Sequence, residues 1–165
     1  MPLTLHATAV ALALDRDGPL IGVLITGVSG LGKSSLAIAL IEQCPWRRTA
    51  LVADDVVEVT AVGNSWVARA TGPMTGQIEV RGFGPVPVRA VKAARLHFAL
   101  AVQAERPPRL YTRQDMTAGQ EVGQKAAMPP MANLLRVPFW AENAAIYHAR
   151  VRIIARAILA GQIPS

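Results

Sequence analysis

"GVSGLGKSS", Gly27 to Ser35, follows the apolar run "PLIGVLIT" and leads into "LAIALIEQC". It has the pattern G-x-x-x-x-G-K-S. The run before it is short, apolar and stopped by glycine, so it reads as a buried strand. From Lys33 the apolar residues recur at helical spacing until Pro45, which cannot continue a helix. Strand, glycine-rich loop and helix in this order make a phosphate-binding loop. Its members are Gly27, Val28, Ser29, Gly30, Leu31, Gly32, Lys33, Ser34 and Ser35. The glycines let the backbone curl so that successive N–H groups face one anion. The helix N-terminus adds the positive end of its dipole. Lys33 can reach the β- and γ-phosphates, and the Ser34 hydroxyl can ligate Mg²⁺. The loop predicts nucleotide binding but names no substrate.

The rest of the chain narrows the choice. Its 165 residues fit one domain around one core, spanning 1–165. Hydrophobic residues make up 52% of it, enough to fill that core. No apolar run reaches the length of about 18 residues that a membrane helix needs, so no membrane association is expected. "MPLTLHATAV" lacks the basic start and long apolar run of a signal peptide. Cys44 is the one cysteine, which rules out an internal disulfide and predicts a reducing, cytoplasmic setting. The net charge is +6, but the arginines are spread from Arg16 to Arg156 and aromatic residues are only 5%. That pattern reads as a basic solvated surface, not as a base-stacking platform for nucleic acid.

"LTLHATAVALAL" reads as one strand, closed by the turn "DRDG". "TALVADDVVEVTAVG" is a second strand region, and "NSWVARATG" continues the sheet after a turn at Gly63–Asn64. "PMTGQIEVRGFGPVPVRAV" reads as loop with a strand or two, and "RLHFALAVQA" as a further strand. "ERPPRLYTRQDMTAGQEVGQKAAMPPM" reads as polar loop. The tail "AENAAIYHARVRIIARAILAG" has helical periodicity and ends at Gly161.

Two further pieces carry chemistry. "LVADDVVEV" places Asp54 and Asp55 after an apolar strand. Neighbouring strand residues point to opposite faces, so the two share a task only if the strand ends and bends there. A carboxylate at a strand end beside a phosphate loop can hold Mg²⁺ or accept a hydroxyl proton. "QIEVRGFG" offers Glu79 and Arg81 with the same strand parity, before two glycines.

Together and in this order, "GVSGLGKSS", "LVADDVVEV" and "IEVRGFG" resemble the catalytic domain of the HPr kinase/phosphorylase family. Those bacterial enzymes phosphorylate a serine of the small phosphocarrier protein HPr. The resemblance runs from about His6 to about Arg113. It implies an α/β P-loop kinase domain with a mixed, twisted sheet, flanking helices and a C-terminal helix. It implies ATP and Mg²⁺, with Lys33 on the phosphates and Ser34 with Glu79 on the metal. Asp54 and Asp55 would supply the proton acceptor, the second favoured. His6 resembles the family's histidine on the strand before the loop. "RLYTRQ" resembles its Y-D-R motif, which makes Arg113 the stabiliser of phosphate charge. The resemblance also implies an HPr-like protein substrate and a homo-oligomer, a hexamer.

The chain departs from the family at several points. Val28 stands where many members carry Asp or Pro, Ser35 where they often carry Asp or Glu, and Thr112 in place of the Asp of Y-D-R. The family's P-[VI]-[RK]-P-G-R-N segment, tied to dephosphorylation, is not recognisable in "MPPMANLLRVPFWAEN", where Arg136 and Asn143 are at best remnants. The expected form is one of the family's short versions, without its separate N-terminal domain. The expectation is therefore a serine kinase with weak or no phosphorylase activity. The competing readings are a small-molecule P-loop kinase and a non-catalytic nucleotide-binding module.

Overall fold

The structure is a computed structural model that describes residues 1–106, 131–140 and 144–163. Its elements run β1 (Leu3–His6), β2 (Thr8–Leu12), β3 (Ile21–Thr26), α1 (Lys33–Glu42), β4 (Ala50–Ala53) and β5 (Val56–Val62). There follow β6 (Ser65–Ala70), β7 (Gln77–Val80), β8 (Gly84–Pro87), β9 (Ala93–Gln103), β10 (Leu135–Trp140) and α2 (Ala144–Leu159).

β3 is buried along its whole length, because it has a strand on each side and packed layers on both faces. β9 runs parallel to it and β2 antiparallel. The main sheet follows the order β1-β5-β6-β9-β3-β2-β4, and β10 also pairs with β9. It is mixed, as expected. The two ends of this path belong to continuous chain, since β1 runs into β2 and β4 into β5. The Ala7 N–H donates to the Asp55 carbonyl at 3.2 Å and ties the two junctions together. The sheet therefore curls back to meet itself at Ala7 and Asp54–Asp55.

That corner corrects two readings from sequence. Residues 3–12 form two strands, since β1 follows β5 while β2 follows β3 and β4. Residues 50–62 likewise break at the aspartate pair. Asp55 has φ 65, and the Val56 N–H closes a three-residue turn on the Asp54 carbonyl at 2.8 Å. A short polar side chain tolerates this left-handed conformation where valine would not.

Alternation along the strands sorts the core into two layers. Val10, Leu12, Val23, Ile25, Leu51, Phe98 and Leu100 face the helices. Ala9, Ala11, Leu24, Val52 and Ala99 face the other way, where small side chains let the folded-back sheet pack closely. α1 is apolar nearly all round, with Leu36, Ala37, Ala39, Leu40 and Ile41 buried, because it lies between the sheet and α2. α2 contributes Val151 and Ala155 to that layer. It ends as expected at Gly161, whose φ is 73, with the Gln162 N–H reaching back to the Ala157 carbonyl at 2.9 Å. Such a closing bond satisfies one of the helix's last carbonyls.

β10 was not legible as a strand. Its "LRVPFW" contains Pro138, which has no N–H to give to a ladder. The strand pairs in parallel with the last residues of β9, and its alternate residues Leu135, Val137 and Phe139 are buried. Arg136 therefore lies in a strand and not in a turn. β7 and β8 form a separate hairpin, within the loop-with-strands reading of that stretch. Among the described residues, no helix is long and apolar enough to cross a membrane.

Candidate active site

The phosphate loop leaves the end of β3 at Gly27, which has φ 140. A Cβ there would lie 2.7 Å from the Val102 carbonyl oxygen of β9, so only glycine allows the loop to start where it does. Gly32, at φ 87, caps α1 without a side-chain hydrogen bond, and the first turn holds no acidic residue. The first N–H groups of α1 have no partner inside the helix, and together with the dipole they favour an anion.

Lys33 folds over the loop. Its Nζ donates to the carbonyls of Gly27 at 2.8 Å and Val28 at 3.1 Å. Burial pushes the ammonium below its ordinary value, and the charges of Asp55 and Asp54 oppose that shift. The carboxylates are thus close enough to be felt at the loop.

Asp54 is where the separate motifs meet. Its Oδ1 accepts the Ser34 hydroxyl at 2.8 Å and the Thr8 hydroxyl at 2.8 Å. Its Oδ2 accepts the backbone N–H of Glu79 at 3.3 Å. The loop, β2, the β4–β5 break and the β7–β8 hairpin therefore converge on one carboxylate. Asp55, next in sequence, is exposed, and its side chain has no hydrogen-bond partner among the described residues. The bend that sequence reading left open is present, and it gives the two aspartates different surroundings.

The other expected residues fall as follows. His6 is exposed at the end of β1 and pairs with Val56, the residue after Asp55. Glu79 is exposed and reaches the corner through its backbone. Arg113 and Asn143 lie outside the described residues. Thr8 was missed, because a hydroxyl in "LHATAVALAL" gives no signal of a partner 46 positions away.

The donors suit a hard cation. Ser34, Glu79 and the Asp54 carboxylate offer oxygen only, and Mg²⁺ prefers one or two carboxylates plus water and substrate phosphates to an all-protein cage. No group of three or more His, Cys, Asp or Glu suited to a metal occurs among the described residues.

A family model described as the HPr Serine kinase C-terminal domain matches residues 17–97. The chain carries the HPr serine kinase C-terminal domain over that stretch. It is 34% identical over 134 residues to an HPr kinase/phosphorylase of Nitrosomonas europaea, covering 78% of this chain and 38% of that protein. It is 43% identical over 89 residues to an HPr kinase/phosphorylase of Neisseria meningitidis serogroup C, covering 53% of this chain and 27% of that one. The chain thus spans well under half the length of these relatives. A solved structure titled "Structure of the Hpr(Ser) kinase/phosphatase from Coxiella burnetii" superposes with a TM-score of 0.70 at 22% identity, over 96% of this chain and 92% of the other. This likeness confirms the fold expected from sequence, a mixed α/β P-loop domain with flanking helices.

Proposed function

We propose that the chain is a serine protein kinase that transfers the γ-phosphoryl group of ATP to HPr or a related phosphocarrier, with residues 1–165 acting as one catalytic unit. The observation that carries this reading is the convergence on Asp54, with Asp55 left exposed beside it. The relatives at 34% and 43% identity bear the name of that activity.

In this reading the loop N–H groups and the N-terminus of α1 hold the nucleotide phosphates. Lys33 exchanges its two carbonyl partners for phosphate oxygens. Mg²⁺ would be held by Ser34 and Glu79 and would offset charge on the phosphates. Asp54 holds the Ser34 hydroxyl in place. Asp55 accepts the proton of the substrate serine as its oxygen bonds to the γ-phosphorus, the bond to the β-phosphate oxygen breaks, and ADP leaves. His6 borders that step, and Arg113 is assigned to the charge on the transferring group. Positioning and charge supply most of the rate in such transfers. Phosphate-driven reversal is expected to be weak, because it needs added positive charge to crowd two anions together and the P-G-R-N segment is missing. A homo-oligomer rests on family resemblance.

The test is incubation with γ-labelled ATP, Mg²⁺ and purified HPr, with the product mapped by mass spectrometry. Phosphoserine on HPr is the expected result. If label reaches only a metabolite when host lysate is supplied, the chain is a small-molecule kinase. If nucleotide binds and no transfer occurs with either, it is a binding module.

A further inference from the structure

We propose that Thr8 is a positioning residue, whose hydroxyl fixes the Asp54 carboxylate so that Ser34 presents a lone pair to the metal. This rests on the reading of Ser34 as a metal ligand.

Thr8, Thr26 and Thr49 are the buried threonines among the described residues. The other two bond away from the candidate site. Thr26 donates to the Leu100 carbonyl at 3.2 Å, and Thr49 accepts the Ala13 N–H at 3.1 Å. Only Thr8 spends its hydroxyl on a side chain of the candidate site. Its exposure is 0%. A buried hydroxyl costs free energy unless it is hydrogen-bonded, and valine would fill the same shape without that cost. Stability by packing therefore gives no reason for threonine here, and Asp54 does.

The geometry shows what the bond achieves. A carboxylate oxygen has two lone pairs, and Oδ1 of Asp54 uses them on Thr8 and Ser34. With Oδ2 on the Glu79 N–H, the carboxylate has a partner on each side and cannot turn freely. Its terminal torsion is otherwise broad. The single Ser34 proton then stays on Oδ1, and the hydroxyl's lone pairs are left for a cation. Without Thr8, Oδ1 keeps an unfilled lone pair and Ser34 loses its fixed direction. The antiparallel pairing of Ala9 with Ala53 carries Thr8 to the level of Asp54. The sheet itself therefore sets the bond.

The experiment measures ATP affinity by calorimetry with and without Mg²⁺, and the environment of Mn²⁺ bound with the nucleotide by electron paramagnetic resonance. Thr8→Val is expected to lose about tenfold of the metal-dependent gain in affinity, the weight of one hydrogen bond to a charged group. Metal-free affinity should be unchanged, the Mn²⁺ spectrum should broaden, and Thr8→Ser should restore both. Equal weakening with and without metal, or no change in a folded Thr8→Val, overturns the proposal. If Thr8→Val and Thr8→Ala both unfold while Thr8→Ser folds, the hydroxyl serves stability and the proposal falls. If the unaltered protein shows no metal-dependent gain, the reading of Ser34 falls first and this one with it. If that gain is present and Ser34→Ala removes it while Thr8→Val does not, only the role of Thr8 is lost.

Discussion

At its N-terminal end α1 begins on a left-handed glycine, with no side-chain cap and no acid in its first turn. At its other end, Arg152 of α2 donates to the Leu40 carbonyl at 2.8 Å from a buried position. Arg156 reaches the Leu14 carbonyl at 2.9 Å, and Arg48, just past the helix, reaches the Gly18 carbonyl at 2.7 Å. One end thus offers its free N–H groups and the positive end of its dipole to an anion, while the chain's own cations sit on carbonyls around the other. Substitutions at the first end should alter ligand affinity and leave the fold intact. Substitutions at the second should alter stability and leave affinity intact.

The largest expected effect is at the open end. Lys33→Ala removes the ammonium that would meet the γ-phosphate, and nucleotide affinity should fall by about 2–5 kcal/mol, by analogy with truncated buried charge pairs. Calorimetry checks it. An unchanged affinity would break the contrast between the two ends. At the closed end, Arg152→Met keeps the packing volume and leaves the Leu40 carbonyl without its donor. It should cost about 1–3 kcal/mol of unfolding free energy, read by urea denaturation, with nucleotide affinity within about twofold of the unaltered protein.

The smallest effect is a pH dependence at the start of β3, the end of that strand away from the loop. The ladder between β3 and β9 slips at Gly22, and the Gly22 N–H lies 3.2 Å from Nδ1 of His97. Burial lowers the pKa of His97 below the ordinary 6.5, the Arg95 carbonyl opposes that, and the Arg95 charge adds to it. The unfolded chain therefore takes up this proton first. The contribution of His97 to stability is complete above pH 6.5 and is lost as pH falls below it towards the lowered folded value. His97→Gln should flatten the fall in thermal midpoint over that range. A midpoint as pH-sensitive as before would assign the acid effect to other groups.

How much of this the sequence discloses depends on how local each signal is. The β3–loop–α1 unit is legible because its apolar run, glycines and helical spacing lie within one stretch. The glycine-flanked α2 terminus is legible for the same reason. β10 is hidden by Pro138, which argues against a strand until β9 is seen beside it. The break at residue 7 is hidden because alanine permits a bend without announcing one. At the candidate site, Lys33, Ser34 and the aspartate pair stand out by motif. The division between Asp54 and Asp55 does not, because it depends on the curl of the sheet. Thr8 leaves no trace in sequence, since its role exists only when β2 lies against the end of β4.

We assign the neighbouring aspartates different work, Asp54 holding the loop serine and Asp55 taking the proton. The decisive measurement compares Mg²⁺-dependent ATP affinity and the single-turnover rate of transfer to HPr for Asp54→Asn and Asp55→Asn side by side. Asp55→Asn should keep its affinity and lose at least about 10²-fold in transfer, the usual weight of a general base, while Asp54→Asn should lose the metal-dependent part of its affinity. Full transfer by Asp55→Asn, with transfer abolished and affinity intact in Asp54→Asn, would contradict that assignment.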